Sequence, residues 1–295
     1  MSYEIKDVNK TIILNVLIGA DESLVGLKVN NSTVVSVEYN ELHKIVSNVY
    51  GAAEYNKFNN ALISHHALTS DNSNLIVLET ICDGPSDYFE PELILKAFKL
   101  YHGADIYSCY NINYCYKDGK LCFGGLGNML KYTHAIGFIK PEYRLSEPEK
   151  TDFEQWYLTA FSKLVDTNCS DSFKAMLRMY DTSYLIGICE SEYIMLFTVL
   201  EMLFGTEVTK ITSHIAKGTS KLIGTTAKEK SYIRDQIYKL YDVRSRYVHD
   251  GKNISCEKLF QLREIVRKVL IGIFNNNYHT KDKSLEELRD SLLSS

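Results

Sequence analysis

Residues 228–251, KEKSYIRDQIYKLYDVRSRYVHDG, decide the fold class of the second half of the chain. The apolar residues Ile233, Ile237 and Leu240 recur every three or four positions, which is the period of an amphipathic α-helix. Gly251 follows the last periodic turn, and glycine is the residue that most often ends a helix. The stretch therefore predicts one long helix that ends near Gly251.

The segments on both sides of this helix have the same period. Apolar residues at helical spacing and few turn residues between them predict a bundle of six or seven helices after residue 150. The predicted helices cover residues 152–165, 172–180, 183–204, 207–222, 228–248, 256–274 and 285–293.

The first half of the chain has a different pattern. Short runs rich in β-branched and aromatic residues alternate with turn residues, which predicts six or seven strands. The runs are TIILNVLIG, LVGLKV, STVVSVEY, NLIVLETI, DIYSCYNINYCY, KLCFGG and HAIGFI, and helices are predicted at 40–50 and 91–102. Two of the four prolines lie in PEYRLSEPE, where the period changes. We therefore predict an α+β protein with a β-rich domain at 1–140, a linker at 141–150 and an all-α domain at 151–295.

Composition excludes several classes of protein. The 295 residues carry a net charge of -4, which excludes a strongly basic nucleic-acid coat but leaves room for a local basic site. No window approaches the roughly 18 apolar residues of a membrane span, and an export signal is missing, so we expect a cytoplasmic protein without a membrane partner. The seven cysteines form no C-x-x-C pair and are expected to be reduced thiols. We expect neither a metal nor a cofactor.

The candidate chemistry lies at the end of the long helix, where Arg244 precedes His249 by five residues. A guanidinium grips phosphate oxygens as a bidentate fork, and an imidazole transfers protons near neutral pH. The two groups suit cleavage of RNA, because the 2′-hydroxyl is an internal nucleophile and no metal is required. Five helical residues rotate by about 140°, however, so the two side chains do not share a face. A purely structural interpretation is also open: His249 caps the helix and Arg244 pairs with Asp242.

Glu201 is the other singular residue, because it is the one charge in the apolar helix segment LFTVLEMLFG. A buried charge needs a partner. Glu201 either positions Arg244 or tunes the proton affinity of His249, or it reaches solvent at the helix end, and the sequence leaves these possibilities open.

Residues from about 173 to 274 resemble the HEPN superfamily, and more narrowly its ApeA-like branch. Three pieces carry the resemblance in order: LFTVLEMLFG with Glu201, then ITSHIAKGTSKLIG, then IYKLYDVRSRYVHDG. The family motif is an Arg, a polar residue, a few variable residues and a His, which Arg244, Ser245 and His249 match. The first half of the chain resembles no family that we can assign.

The resemblance implies a metal-independent endoribonuclease that acts as a homodimer through its helical domain, with two Arg–His motifs facing each other in one cleft. Arg244 would hold the scissile phosphate of an RNA such as a tRNA or mRNA, and His249 would transfer the proton. Ser245, Glu201, Arg246, Tyr241 and Asp250 would be supporting residues.

The resemblance also implies a role in anti-phage defence or in a toxin system, with an antitoxin or a phage-derived trigger as a further partner. The β-rich domain would sense the trigger or choose the target. One departure is that Asp250 stands where the branch has glycine directly after the histidine. The alternative is therefore a catalytically inactive HEPN module that binds RNA or a protein.

Overall fold

A computed structural model describes residues 10–64, 74–103, 106–123, 142–161, 169–205 and 210–294. Residue contacts divide the chain into two compact units, Met1–Lys163 and Leu164–Ser295. The first unit holds an antiparallel sheet and the second is helical, so the α+β class is confirmed.

The described part of the first unit holds six strands, β1 (Thr11–Ile18), β2 (Lys28–Val29), β3 (Ser32–Glu38), β4 (Asn74–Cys82), β5 (Tyr107–Lys117) and β6 (Lys120–Phe123). They form one sheet in the order β2-β3-β4-β1-β5-β6, and every neighbouring pair is antiparallel. Six of the seven predicted runs form these strands; the seventh, HAIGFI, lies outside the described residues. The central strand pairs with β4 on one side and β5 on the other, with an irregularity between Val16 and Leu17.

Two helices pack against one face of the sheet, α1 (Tyr39–Tyr50) and α2 (Ala52–Ser64). Alternate residues of β1, among them Ile12 and Leu14, form a common core with Ile45 of α1 and Phe58 of α2. The first helix was predicted from sequence and the second was not, because AAEYNKFNNALIS carries few apolar residues at helical spacing.

A third helix, α3 (Glu90–His102), has proline in its first turn and ends at Gly103 in the left-handed conformation, as the sequence predicts. The next helix, α4 (Glu147–Trp156), begins at a capping box in which the Ser146 N–H donates to Glu149 Oε2 over 2.8 Å. The ring of Phe153 stacks on Phe98 of α3 with centroids 4.8 Å apart. This packing places α4 in the first unit, whereas the sequence-based boundary at 141–150 assigns most of it to the helical domain. A helical period alone does not say which core an amphipathic helix joins.

The described part of the second unit holds six α-helices. Its first two are separated by Gly187, which adopts a left-handed conformation with φ of 67°. The break predicted between 180 and 183 was therefore wrong, since the helix runs six residues further. The helices are α5 (Asp171–Ile186), α6 (Cys189–Phe204), α7 (Ile211–Ile223), α8 (Ala227–Asp250), α9 (Cys256–Asn275) and α10 (Leu285–Ser294).

Candidate functional site

The candidate site is built on α6 and α8. The long helix α8 is capped at its start by Thr226, whose side chain accepts from the Glu229 N–H, and at its end by Gly251 with φ of 66°. The Tyr193 hydroxyl of α6 donates to the Leu240 carbonyl of α8 over 2.8 Å in the core. This buried hydrogen bond fixes the two helices against each other just before the Arg–His segment.

Arg244 points toward α6, where its Nη2 lies 3.1 Å from Glu201 Oε1. The two side chains are 25% and 20% exposed, so water reaches the pair but does not surround it. The structure therefore supports the interpretation in which Glu201 is the ion-pair partner of Arg244. The expected alternative partner of Arg244, Asp242, instead pairs with Arg246 at 2.5 Å, one helical turn away.

Aromatic packing supports the same guanidinium. Its carbon lies 5.4 Å from the ring centroid of Tyr241, within the range of a cation–π contact. Tyr241 in turn meets Phe197 of α6 edge-on, with ring centroids 5.6 Å apart. The Arg244 Nε atom is buried and has no hydrogen-bond partner among the described residues. The Arg244 guanidinium is thus held by Glu201 and Tyr241, and its Nε–H group remains without an acceptor among the described residues.

His249 occupies a different environment. It is exposed in the last turn of α8, and within the described part of the chain no ion pair or hydrogen bond of its side chain is found. Ser245, one turn earlier, is half-buried. The helix is continuous from Ala227 to Asp250, so the rotation of about 140° between Arg244 and His249 holds in the structure. One chain therefore does not bring the two residues together.

Two ion pairs lie close to His249 along the chain. Asp250 is exposed and lies 3.9 Å from the Lys252 ammonium, which offsets its charge next to the imidazole. The Arg246–Asp242 pair is also exposed, and such pairs contribute little to stability. Both pairs leave these side chains open to contact with another molecule.

The same unit contains a second, more deeply buried ion pair that was not predicted from the sequence. Arg263 of α9 donates to Glu192 of α6, and the two side chains are only 3% and 4% exposed. The Arg263 guanidinium also lies 4.4 Å from the ring centroid of Tyr184 on α5. The sequence signal for this pair was Arg263 itself, a charged residue within the apolar stripe of α9. The pair joins three helices, which is a structural role.

The described residues hold no group of three His, Cys, Asp or Glu side chains placed to bind a metal ion. The seven cysteines are all described and all are free thiols. Within the same ranges, every helix is too short or too polar to cross a bilayer. Comparison of the chain with protein-family models, with curated proteins and with solved structures found no match.

Proposed function

We propose that the helical unit is a HEPN-like, metal-independent endoribonuclease in which two copies of the chain form one cleft. The observation that carries the proposal is the setting of Arg244. Its guanidinium is fixed by Glu201 and Tyr241, while a quarter of the side chain faces solvent. A charged fork that is held in place and partly open suits a phosphate group.

The second support is the orientation of His249. It is exposed and rotated away from Arg244, so a cleft that needs both groups takes Arg244 from one chain and His249 from the other. A twofold axis near the end of α8 provides that pairing twice, because Arg244 of each copy then meets His249 of the other copy.

In the proposed reaction Arg244 binds the non-bridging oxygens of the scissile phosphate. The 2′-hydroxyl oxygen attacks phosphorus and gives its proton to water, and the bond to the 5′-oxygen breaks. The His249 imidazolium donates a proton to that 5′-oxygen. The products are a 2′,3′-cyclic phosphate and a 5′-hydroxyl end.

Supporting roles follow from the contacts. Glu201 and Tyr241 are positioning residues for Arg244, while Ser245 and Arg246 border the open side of α8. By analogy of architecture we propose that the first unit senses a trigger or selects the target, in a cytoplasmic defence or toxin system.

A second candidate function is an inactive HEPN-like module that binds RNA or a protein. The observation that favours it is Asp250, an exposed carboxylate directly after His249 that would repel a phosphate.

The test incubates the full-length protein with mixed tRNA and mRNA in EDTA and analyses the RNA on gels and by mass spectrometry of its ends. Wild type is compared with His249→Ala and with His102→Ala, an exposed histidine of the first unit. We expect cyclic-phosphate products from wild type and His102→Ala only. Equal cleavage by all three proteins would refute the assignment of His249. No cleavage by any of them, with RNA binding retained, would favour the binding module.

A further inference from the structure

Positive charge is concentrated in one segment of this acidic protein. Residues 210–234 contain six Lys or Arg and one Glu, a formal charge of +5 in a chain whose net charge is -4. The single acid, Glu229, is engaged by the backbone and hydroxyl of Thr225 and by the backbone of Thr226 at the start of α8. The segment therefore carries a formal excess of five positive charges.

Two of these cations lie on α7 and two on α8, near enough that the charges of Lys230 and Arg234 act on Lys221. On α7, the Lys217 and Lys221 ammonium groups donate to the Leu293 and Leu292 carbonyls near the end of α10. On α8, Lys230 and Arg234 are one turn apart, and neither is paired with an acidic side chain in the described ranges.

The electrostatic effect of this cluster is visible at Lys221. Burial and then the neighbouring charges of Lys217, Arg234 and Lys230 lower the pKa of its ammonium group. Like charges that repel one another destabilise the free protein, and an anion placed among them relieves that repulsion. We call Lys217, Lys221, Lys230 and Arg234 the cationic cluster.

The cluster continues toward the candidate site along one side of α8. With 3.6 residues per turn, Lys230, Arg234, Tyr238, Ser245 and His249 lie within an arc of about 100°. We call these five residues the stripe, and within it the side chain of Tyr238 is 43% exposed. Arg234 and His249 are fifteen residues apart, which is about 22 Å along the helix axis.

We propose that the cationic cluster binds the phosphate backbone of the RNA substrate, six or seven nucleotides away from the bond that is cut. The inference rests on the proposed function for the identity of the substrate. A distance of about 22 Å matches roughly that number of stacked nucleotides at 3.4 Å each. Cations beside an exposed tyrosine fit a nucleic-acid strand better than an acidic peptide, because bases stack on aromatic rings.

The test measures binding of a fluorescent 20-nucleotide single-stranded RNA to full-length His249→Ala protein, so that binding is read without cleavage. The stripe variant adds Lys230→Gln and Arg234→Gln. The matched control adds Lys228→Gln and Lys239→Gln, two exposed lysines on the opposite side of the same helix. Both variants lose two positive charges, and circular dichroism checks that both are folded.

We expect the stripe variant to bind about 25-fold more weakly at 0.1 M salt and the slope of log affinity against log salt to fall by about 1.4, which is the loss of two phosphate contacts. The control should stay within about twofold of the parent. Equal loss in the two variants, or equal affinity of the parent for polyglutamate of the same charge, would overturn the proposal. So would an absence of RNA binding by the parent.

A second arm separates this inference from the proposed function. With the motif histidine intact, the stripe variant should lose cleavage of the 20-nucleotide RNA at low substrate concentration but cut a tetranucleotide as wild type does, because the tetranucleotide cannot reach the cluster. A wild type that binds RNA through the cluster but cuts neither substrate would refute only the proposed enzyme. Equal loss on both substrates would refute the cluster as a remote contact.

Discussion

The buried pair Glu192–Arg263 and the exposed pair Arg246–Asp242 allow a direct comparison of what burial does to an ion pair. Each joins an arginine Nη2 to a carboxylate oxygen, but the side chains of the first are 3% and 4% exposed and those of the second 48% and 61%. Glu192→Gln leaves a guanidinium buried without its counter-charge. Asp242→Asn leaves one in water.

We expect Glu192→Gln to lower the free energy of unfolding by about 3–5 kcal/mol and Asp242→Asn by about 0–1 kcal/mol. With a urea slope of about 2 kcal/mol per molar, the midpoint should move by about 1.5–2.5 M in the first case and by less than about 0.5 M in the second. Urea titration followed by circular dichroism at the helix band measures both. The double variant Glu192→Leu, Arg263→Met should recover most of the loss, because it removes the unpaired charge as well.

Similar small shifts for Glu192→Gln and Asp242→Asn would refute this reasoning. They would mean that water reaches the Arg263 guanidinium in the folded protein, which contradicts its burial against Tyr184. A double variant as unstable as Glu192→Gln would contradict it in a different way, by showing that shape rather than charge accounts for the loss.

Three further predictions concern stability. Burial lowers the pKa of His279 from its ordinary value of 6.5, so the unfolded chain binds a proton at a higher pH than the folded chain does. The stability that neutral His279 contributes should therefore be full above pH 6.5 and should fall as the pH drops toward the folded-state pKa. His279→Gln should flatten this dependence below pH 6.5 in thermal melts, and an unchanged dependence would argue against it. Gly218→Ala should cost about 1–3 kcal/mol in urea titrations, since a Cβ there overlaps the ring of Phe204, and a neutral effect would contradict that packing. Gly251→Ala should cost about 1 kcal/mol and Gly251→Asn less, because the position has open space but a left-handed backbone, and equal costs would disprove that cause.

Much of the sheet was predictable because its strands are short, β-branched and separated by turn residues. The runs that start at Thr11 and Ser32 were recognised almost to the residue. The second helix was missed because, of its residues whose burial is described, only Phe58, Ala61 and Leu62 are buried, too few to give a clear helical period. The order of the strands could not be predicted, since it depends on pairings between distant residues.

The candidate site was predictable only in part. The identity and spacing of Arg244 and His249 can be read from the chain, and so can the rotation that separates them on one helix. The sequence offered both Glu201 and Asp242 as partners of Arg244 and could not decide between them, because Glu201 is 43 residues earlier and only the packing of α6 on α8 brings it within 3.1 Å. Arg263 and Glu192 are 71 residues apart in the sequence, and their ion pair could not be predicted for the same reason.

The most direct test of the account is complementation between two inactive variants, Arg244→Gln and His249→Ala, each purified alone and also co-expressed so that mixed dimers form. Of the two Arg244–His249 pairs in the shared cleft, each mixed dimer keeps one intact, with Arg244 from one chain and His249 from the other. With random pairing, the co-expressed sample should recover about a quarter of wild-type RNA cleavage in EDTA, while the separate variants stay inactive. No recovery from mixed dimers, with wild type active, would contradict a cleft shared between two chains.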